Sequence, residues 1–155
     1  MTSVLFLCDD NAAVGVMAES ILRSMGPRFH SYSAGIRPAA VVDLGVLDFL
    51  RERRLPTSGL RAKGVHEFLV DGAPRLDFII TLSDLADDEA PETWASDPVL
   101  AHWNVLESGE VLNGDTVRDA FWALQRRIKI FASLPLASAP RRALQHRIEA
   151  IATWQ

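Results

Sequence analysis

What most constrains this chain is a regular alternation of short strand-like runs with longer stretches of helical spacing. The runs are "SVLFLC" (Ser3 to Cys8), "FHSYSAG" (Phe29 to Gly35), "LDFIITL" (Leu76 to Leu82) and "LAHWNV" (Leu100 to Val105). Strands separated by helical segments are joined by crossovers, so the pattern predicts an α/β fold: a four-stranded parallel sheet flanked by helices. The first helix is expected over Val14 to Met25, where Val14, Met17, Ala18, Ile21 and Leu22 form one stripe and Gly26-Pro27 end it. A second is expected over Ala40 to Arg53, with Val42, Val46, Phe49 and Leu50 facing inward and Pro56 beyond its end. Gly64 to Val70 reads as a short helix or turn. A long helix is expected over Thr116 to Leu134, with Phe121, Leu124, Ile128 and Phe131 at helical spacing. "PLASAP" (Pro135 to Pro140) interrupts the pattern, and an extra C-terminal amphipathic helix follows, with Leu144, Ile148 and Ile151 on one stripe. Ala95 to Pro98 and Glu107 to Asp115 carry the Gly, Asn, Asp and Pro that loops use.

At 155 residues, 48% hydrophobic and 23% charged, the chain has the size and composition of one globular domain with a real core. We expect a single domain over 1–155, of which 135–155 is a helical extension. The formal charge of -4 argues against a nucleic-acid binder, which would concentrate Lys and Arg. Arg51, Arg53 and Arg54 are interleaved with Glu52 and Leu50, so they read as a solvated helix face. No apolar stretch is long enough to span a bilayer, and Met1 leads into a strand-like run without a charged n-region or cleavage site, so no membrane partner and a cytoplasmic location are expected. The single cysteine, Cys8, allows no internal disulfide and no cysteine-rich metal site. It is either a small buried hydrophobe or a chemical group.

The segment "CDDNAAVG", Cys8 to Gly15, joins the first strand to the first helix. In an open parallel sheet ligands bind beyond the carboxyl ends of the strands, where the amides and dipole of a helix start favour an anion. A thiol there can be activated, because the positive helix end stabilises the thiolate. Position alone leaves both readings of Cys8 open.

"VLFLCDDNAAVGVMAESIL" resembles the opening of the low-molecular-weight tyrosine phosphatase superfamily: a strand, Cys-x5-Arg-Ser, then a helix with a Met-Ala-Glu-like run. Asn11 and "MAE" (Met17 to Glu19) match, followed in order by "SAG" (Ser33 to Gly35) and "LPTSGLRAK" (Leu55 to Lys63). "GAPRLDFIITL" (Gly72 to Leu82), "AHW" (Ala101 to Trp103) and "LPLAS" (Leu134 to Ser138) point to the arsenate reductase branch. The resemblance implies that Cys8 attacks an oxyanion held by the amides of a loop over Asp9, Asp10, Asn11, Ala12, Ala13, Val14 and Gly15. It also implies an arginine in that loop, an aspartate as proton donor to the leaving oxygen and, in reductases, two further cysteines that pass oxidising equivalents outward.

This sequence departs from that pattern at the chemical positions. Val14 stands in the arginine position and Gly15 in the serine position. A guanidinium offers charge and a bidentate fork, and valine offers neither. Losing one oxyanion donor typically costs about 10²–10³ in rate. Asp9 and Asp10 repel a dianion and favour the thiol over the thiolate. The proton-donor position falls on Glu107, followed by Ser108, and Asp97-Pro98 reads as a turn because it precedes His102-Trp103. The further cysteine positions fall on Ser83 and on, or near, Pro91, so reduction would need an external thiol. For His102-Trp103, packing with one hydrogen bond is preferred to catalysis. A metal site from Cys8, Asp9, Asp10 and His102 has the ligand chemistry but no known zinc spacing, and neither metal nor other cofactor is expected.

Three readings follow. In the first, the chain is catalytically impaired, acts by binding a protein partner or a non-phosphate ligand, and holds phosphate, sulfate or arsenate at most weakly. In the second, it is an active cysteine-dependent phosphatase or a small-thiol-coupled arsenate reductase using Cys8 and Glu107, with another arginine, Arg37 first among the candidates, replacing the missing one. In the third, Cys8 is a thiol redox sensor. The last helix and the tryptophans suit a dimer or internal packing equally.

Overall fold

Val4 to Cys8 are buried without a break, the mark of a strand covered on both faces. In the computed structural model, which describes residues 1–105 and 113–153, this strand, β1 (Thr2–Cys8), lies between β2 (Phe29–Gly35) and β3 (Phe78–Thr81). The edge strand β4 (Val99–His102) completes a four-stranded sheet of order β2-β1-β3-β4, parallel throughout. The helices are α1 (Val14–Arg23), α2 (Leu44–Glu52), α3 (Asp84–Glu89), α4 (Gly114–Ser133) and α5 (Arg141–Ile151), with a 3-10 turn at Val65–Phe68.

The two faces of the sheet are covered unequally. Val4, Phe6, Phe78 and Ile80 pack under α1, α4 and α5 in a large cluster that includes Met17, Ile21, Phe121, Leu124, Ile128 and Phe131. Leu5, Leu7 and Ile79 face the other way, against Phe68, Leu76 and Ala86. Trp103, fully buried, ties the extra helix to the first face: its Nε1 donates to the carbonyl of Ile148 at 2.8 Å, and its ring packs near Phe6 and Phe131. The expected stripe of Leu144, Ile148 and Ile151 is the buried side of α5. Among the described residues no helix is long and apolar enough to cross a membrane.

Bounds shift by one or two residues at β1, β3, α1 and α4, and three elements differ further from the sequence expectation. Helix α2 begins at Leu44, not Ala40, because Asp43 caps it, its carboxylate accepting from the amide of Val46 at 3.2 Å. Residues 39–43 are drawn out of the helix by bonds to the loop after β1. Strand β4 ends at His102, although the amides of Trp103 and Val105 still donate to Thr81 and Leu82 at 2.7 and 3.1 Å. Helix α3 was not expected. Its six residues bury only Ala86, so there is no stripe to read, and the cap at Ser83 is its local signal.

Candidate functional site

β1 delivers Cys8 to the carboxyl edge of the sheet, opposite Gly35 of β2. The chain then turns through Asn11, which has a left-handed backbone (φ 58) of the kind Asn tolerates. The carboxylate of Asp10 accepts from the amide of Ala12 at 3.1 Å, closing a local turn. Gly35 lets the loop lie down on β2, since a Cβ there would stand 2.7 Å from the carbonyl carbon of Asp10.

The outer side of the loop is stitched to the segment after β2. Cys8, Asp9, Asp10 and Ala12 carbonyls accept from Ile36 (3.1 Å), Arg37 (2.8 Å), Ala39 (2.8 Å) and Asp43 (2.9 Å). With these carbonyls turned outward, the amides of Asn11 and Gly15 point inward, to the sulfur of Cys8. Ala13, the cap residue of α1, makes no side-chain cap bond to the helix amides. The loop thus has inward-facing backbone donors at a helix start, the arrangement that suits an anion.

The side chains supply little to match. Cys8 is buried, its thiol lies 3.7 Å from the carbonyl of Ala34, and its pKa is pushed up to about 12. Burial is the main cause; the amides of Asn11 and Gly15 work in the opposite direction, and the charges of Asp10 and Asp9 add to the rise. At neutral pH the group is a thiol, which is a poor nucleophile. Val14 is 4% exposed and belongs to the large core cluster. Arg37, whose amide meets the loop, sends its guanidinium to Glu89, 3.1 Å from both carboxylate oxygens. Arg61 is likewise held by Glu67.

Behind the loop lies a buried polar cluster that sequence reasoning missed. Glu19 of α1 accepts from Ser33 (2.7 Å), Arg23 (2.6 Å) and Lys63 (3.4 Å). Lys63 also donates to the carbonyl of Arg61 at 3.1 Å, and the same carbonyl accepts from Nδ2 of Asn11 at 3.3 Å. Oδ1 of Asn11 is buried without a partner among the described residues. A Cβ on Gly15 would stand 2.6 Å from that oxygen and 2.7 Å from the sulfur of Cys8. The available signal was a charge, Glu19, next to the apolar stripe of α1, where a solvated position is not on offer.

The remaining sites scatter. Asp9 is bonded by the hydroxyl of Ser83, the residue that also caps α3. Pro91 lines a different cavity, with His102. His102 joins Thr81 through Nδ1 (2.7 Å) and Asp84 through Nε2 (3.2 Å), and Trp103 makes the one packing-type bond already described. Glu107 lies outside the described residues. Among the described residues no group of three or more His, Cys, Asp or Glu is placed to hold a metal ion.

Residues 3–105 match the family described as "Low molecular weight phosphotyrosine protein phosphatase". Among solved structures, the chain is similar to an arsenate reductase from Archaeoglobus fulgidus, at 26% identity and a TM-score of 0.67, over 84% of this chain and 99% of that one. It is also similar to a thioredoxin-dependent arsenate reductase from Corynebacterium glutamicum, at 21% identity and a TM-score of 0.67, over 85% of this chain and 60% of that one. A low molecular weight protein tyrosine phosphatase from T. tengcongensis aligns at 20% identity and a TM-score of 0.63, over 86% of this chain and 100% of that one. No match is found among curated protein sequences.

Proposed function

The chain belongs to the low molecular weight phosphotyrosine protein phosphatase family, and from that premise we propose that it is a catalytically impaired member, cytoplasmic, that acts by binding and not by turnover. One observation carries this reading: at the loop's arginine position stands Val14, an apolar side chain sunk in the core. The high pKa of Cys8 supports it, because the nucleophile is stored as a neutral thiol. Arg37, the first candidate for a substitute guanidinium, is occupied by Glu89. The loop would hold phosphate, sulfate or arsenate weakly through backbone amides alone, and a protein partner is the more suitable ligand for a mouth that carries Asp9 and Asp10 and no free guanidinium among the described residues. The test is turnover of p-nitrophenyl phosphate and of arsenate with a thiol reductant, compared between the natural chain and Cys8→Ser. Indistinguishable rates are expected, and turnover that disappears in Cys8→Ser would refute the proposal.

A second reading, a cysteine-dependent phosphatase or small-thiol arsenate reductase with Glu107 as acid, draws support from the inward amides of Asn11 and Gly15. Crystals soaked in phosphate separate the two: an ion seated on those amides against Cys8 favours the second, and an empty loop favours the first. A sensor role for Cys8 is the weakest of the three, since a buried thiol of high pKa reacts slowly with peroxide. Mass spectrometry after mild peroxide tests it, with an unmodified Cys8 expected.

A further inference from the structure

The thinly covered face of the sheet leaves a cavity of about 340 Å³ over β3 and β4, walled by α3 and the segment after it on one side and by α5 on the other. That volume lies at the lower end of the roughly 300–1,000 Å³ of small-molecule sites. Its floor is apolar: Ile79 and Leu100 are cross-strand partners on the same face, and Leu100 remains 45% exposed. One wall is the indole of Trp94, half-buried against the smaller core cluster.

Around this floor stand Asp87, Glu92 and Glu149, all exposed, from three different segments. None of them has a Lys or Arg partner among the described residues, and no Lys or Arg lines the cavity. The only basic group there, His102, has both ring nitrogens engaged by Thr81 and Asp84. Asp87 accepts from the hydroxyl of Thr81 at 3.3 Å and lies 3.9 Å from Nδ1 of His102, whereas Glu92 and Glu149 have no ion-pair partner among the described residues and give the rim of the cleft a negative potential. Trp94 lines the same cavity, and an indole is the aromatic group to which cations are most strongly attracted.

We infer that this cavity binds a small organic cation with an alkyl stem, of the class of aliphatic amines and guanidines. The stem lies on Ile79 and Leu100, and the charged head sits between Trp94 and the carboxylates. The site is separate from the Cys8 loop and independent of any activity there.

The test is isothermal titration calorimetry of the full chain with n-butylguanidinium and with n-butylurea, a neutral ligand of nearly the same shape. The guanidinium is expected to bind at least about 10-fold tighter than the urea, within the range that carboxylate and cation–π contacts provide. Trp94→Leu should weaken it by about 3- to 10-fold. Glu149→Gln, on an exposed helix position where folding is not at risk, should weaken it by about 2- to 5-fold. Cys8→Ser should leave it unchanged. The indole N–H of Trp94 is buried without a partner among the described residues. Were that donor the real attraction, the urea, which carries a carbonyl, would bind as well or better, and the inference would be overturned. No heat from the guanidinium up to about 20 mM, weaker than any useful affinity, or equal binding by Glu149→Gln, would overturn it too.

Discussion

The loop over Cys8 to Gly15 and the polar cluster directly behind it are neighbours that differ in how they handle charge. In front, the position that resemblance assigns to a guanidinium is an apolar core residue, and the thiol is neutral. Behind, Glu19 and Lys63 form an ion pair with side chains only 5% and 8% exposed, and Arg23 and Ser33 add hydrogen bonds to the same carboxylate. Lys63 and Arg23 are tied into the scaffold here, both bonded to Glu19. Loop shape and loop chemistry are therefore held by different residues, and one can be lost without the other.

Glu19→Ala is the strongest way to break that contrast. It strands Lys63 in the interior with one carbonyl partner, so a loss of about 3–5 kcal/mol is expected in urea unfolding, as for other buried pairs that lose one member. A loss under about 1 kcal/mol, the value of an exposed pair, would mean that the cluster does not hold the loop.

The next effect is in front, and it depends on pH. Cys8 keeps its proton in the folded state up to about pH 12, whereas the unfolded chain releases it near 9.0. Above pH 9 the unfolded state therefore binds fewer protons, and stability falls as pH rises, with this contribution fully present below that point. By about pH 11 the natural chain should have lost about 2–3 kcal/mol relative to Cys8→Ser, measured as the change in the difference between their unfolding free energies from pH 8. Parallel curves for the two proteins would show that the thiol is accessible to ionisation after all.

Gly15→Ser sharpens the comparison at the boundary between the regions. Its Cβ would collide with Asn11 Oδ1 and Cys8 Sγ, so a cost of about 1–3 kcal/mol is expected from overpacking. The serine that the family pattern places here cannot be restored without displacing the side chains of Asn11 and Cys8, and a neutral Gly15→Ser would contradict this. Smallest is Asp43→Ala, which removes the cap of α2 beside the segment stitched to the loop. It should cost about 1 kcal/mol in the same assay.

The sequence showed the fold wherever burial is periodic. Strands β1 to β4 and helices α1, α4 and α5 follow from apolar spacing because each turns a long enough face to the core. Helix α3 has one buried residue, and residues 39–43 are kept out of α2 by the cap at Asp43 together with bonds to a loop some thirty residues earlier, the second of which is not a local cause. The location of the site was legible from Cys8 at a strand end before a helix. The cluster behind it was not, because Glu19, Ser33 and Lys63 are far apart in the chain and look like surface residues until folded. In the sequence Asp9 and Asp10 are charges beside the pocket. They do raise the pKa of Cys8, but each also has a structural task, Asp9 toward Ser83 and Asp10 toward Ala12.

The seam between the loop and residues 36–43 is made of main-chain atoms on both sides. Such a seam is indifferent to which side chains it carries, and Pro38, Ala40 and Val41 along it are exposed. Substitutions there can alter what the mouth of the loop touches without loosening the loop itself. The rim is thus open to rewriting while the backbone holds the form.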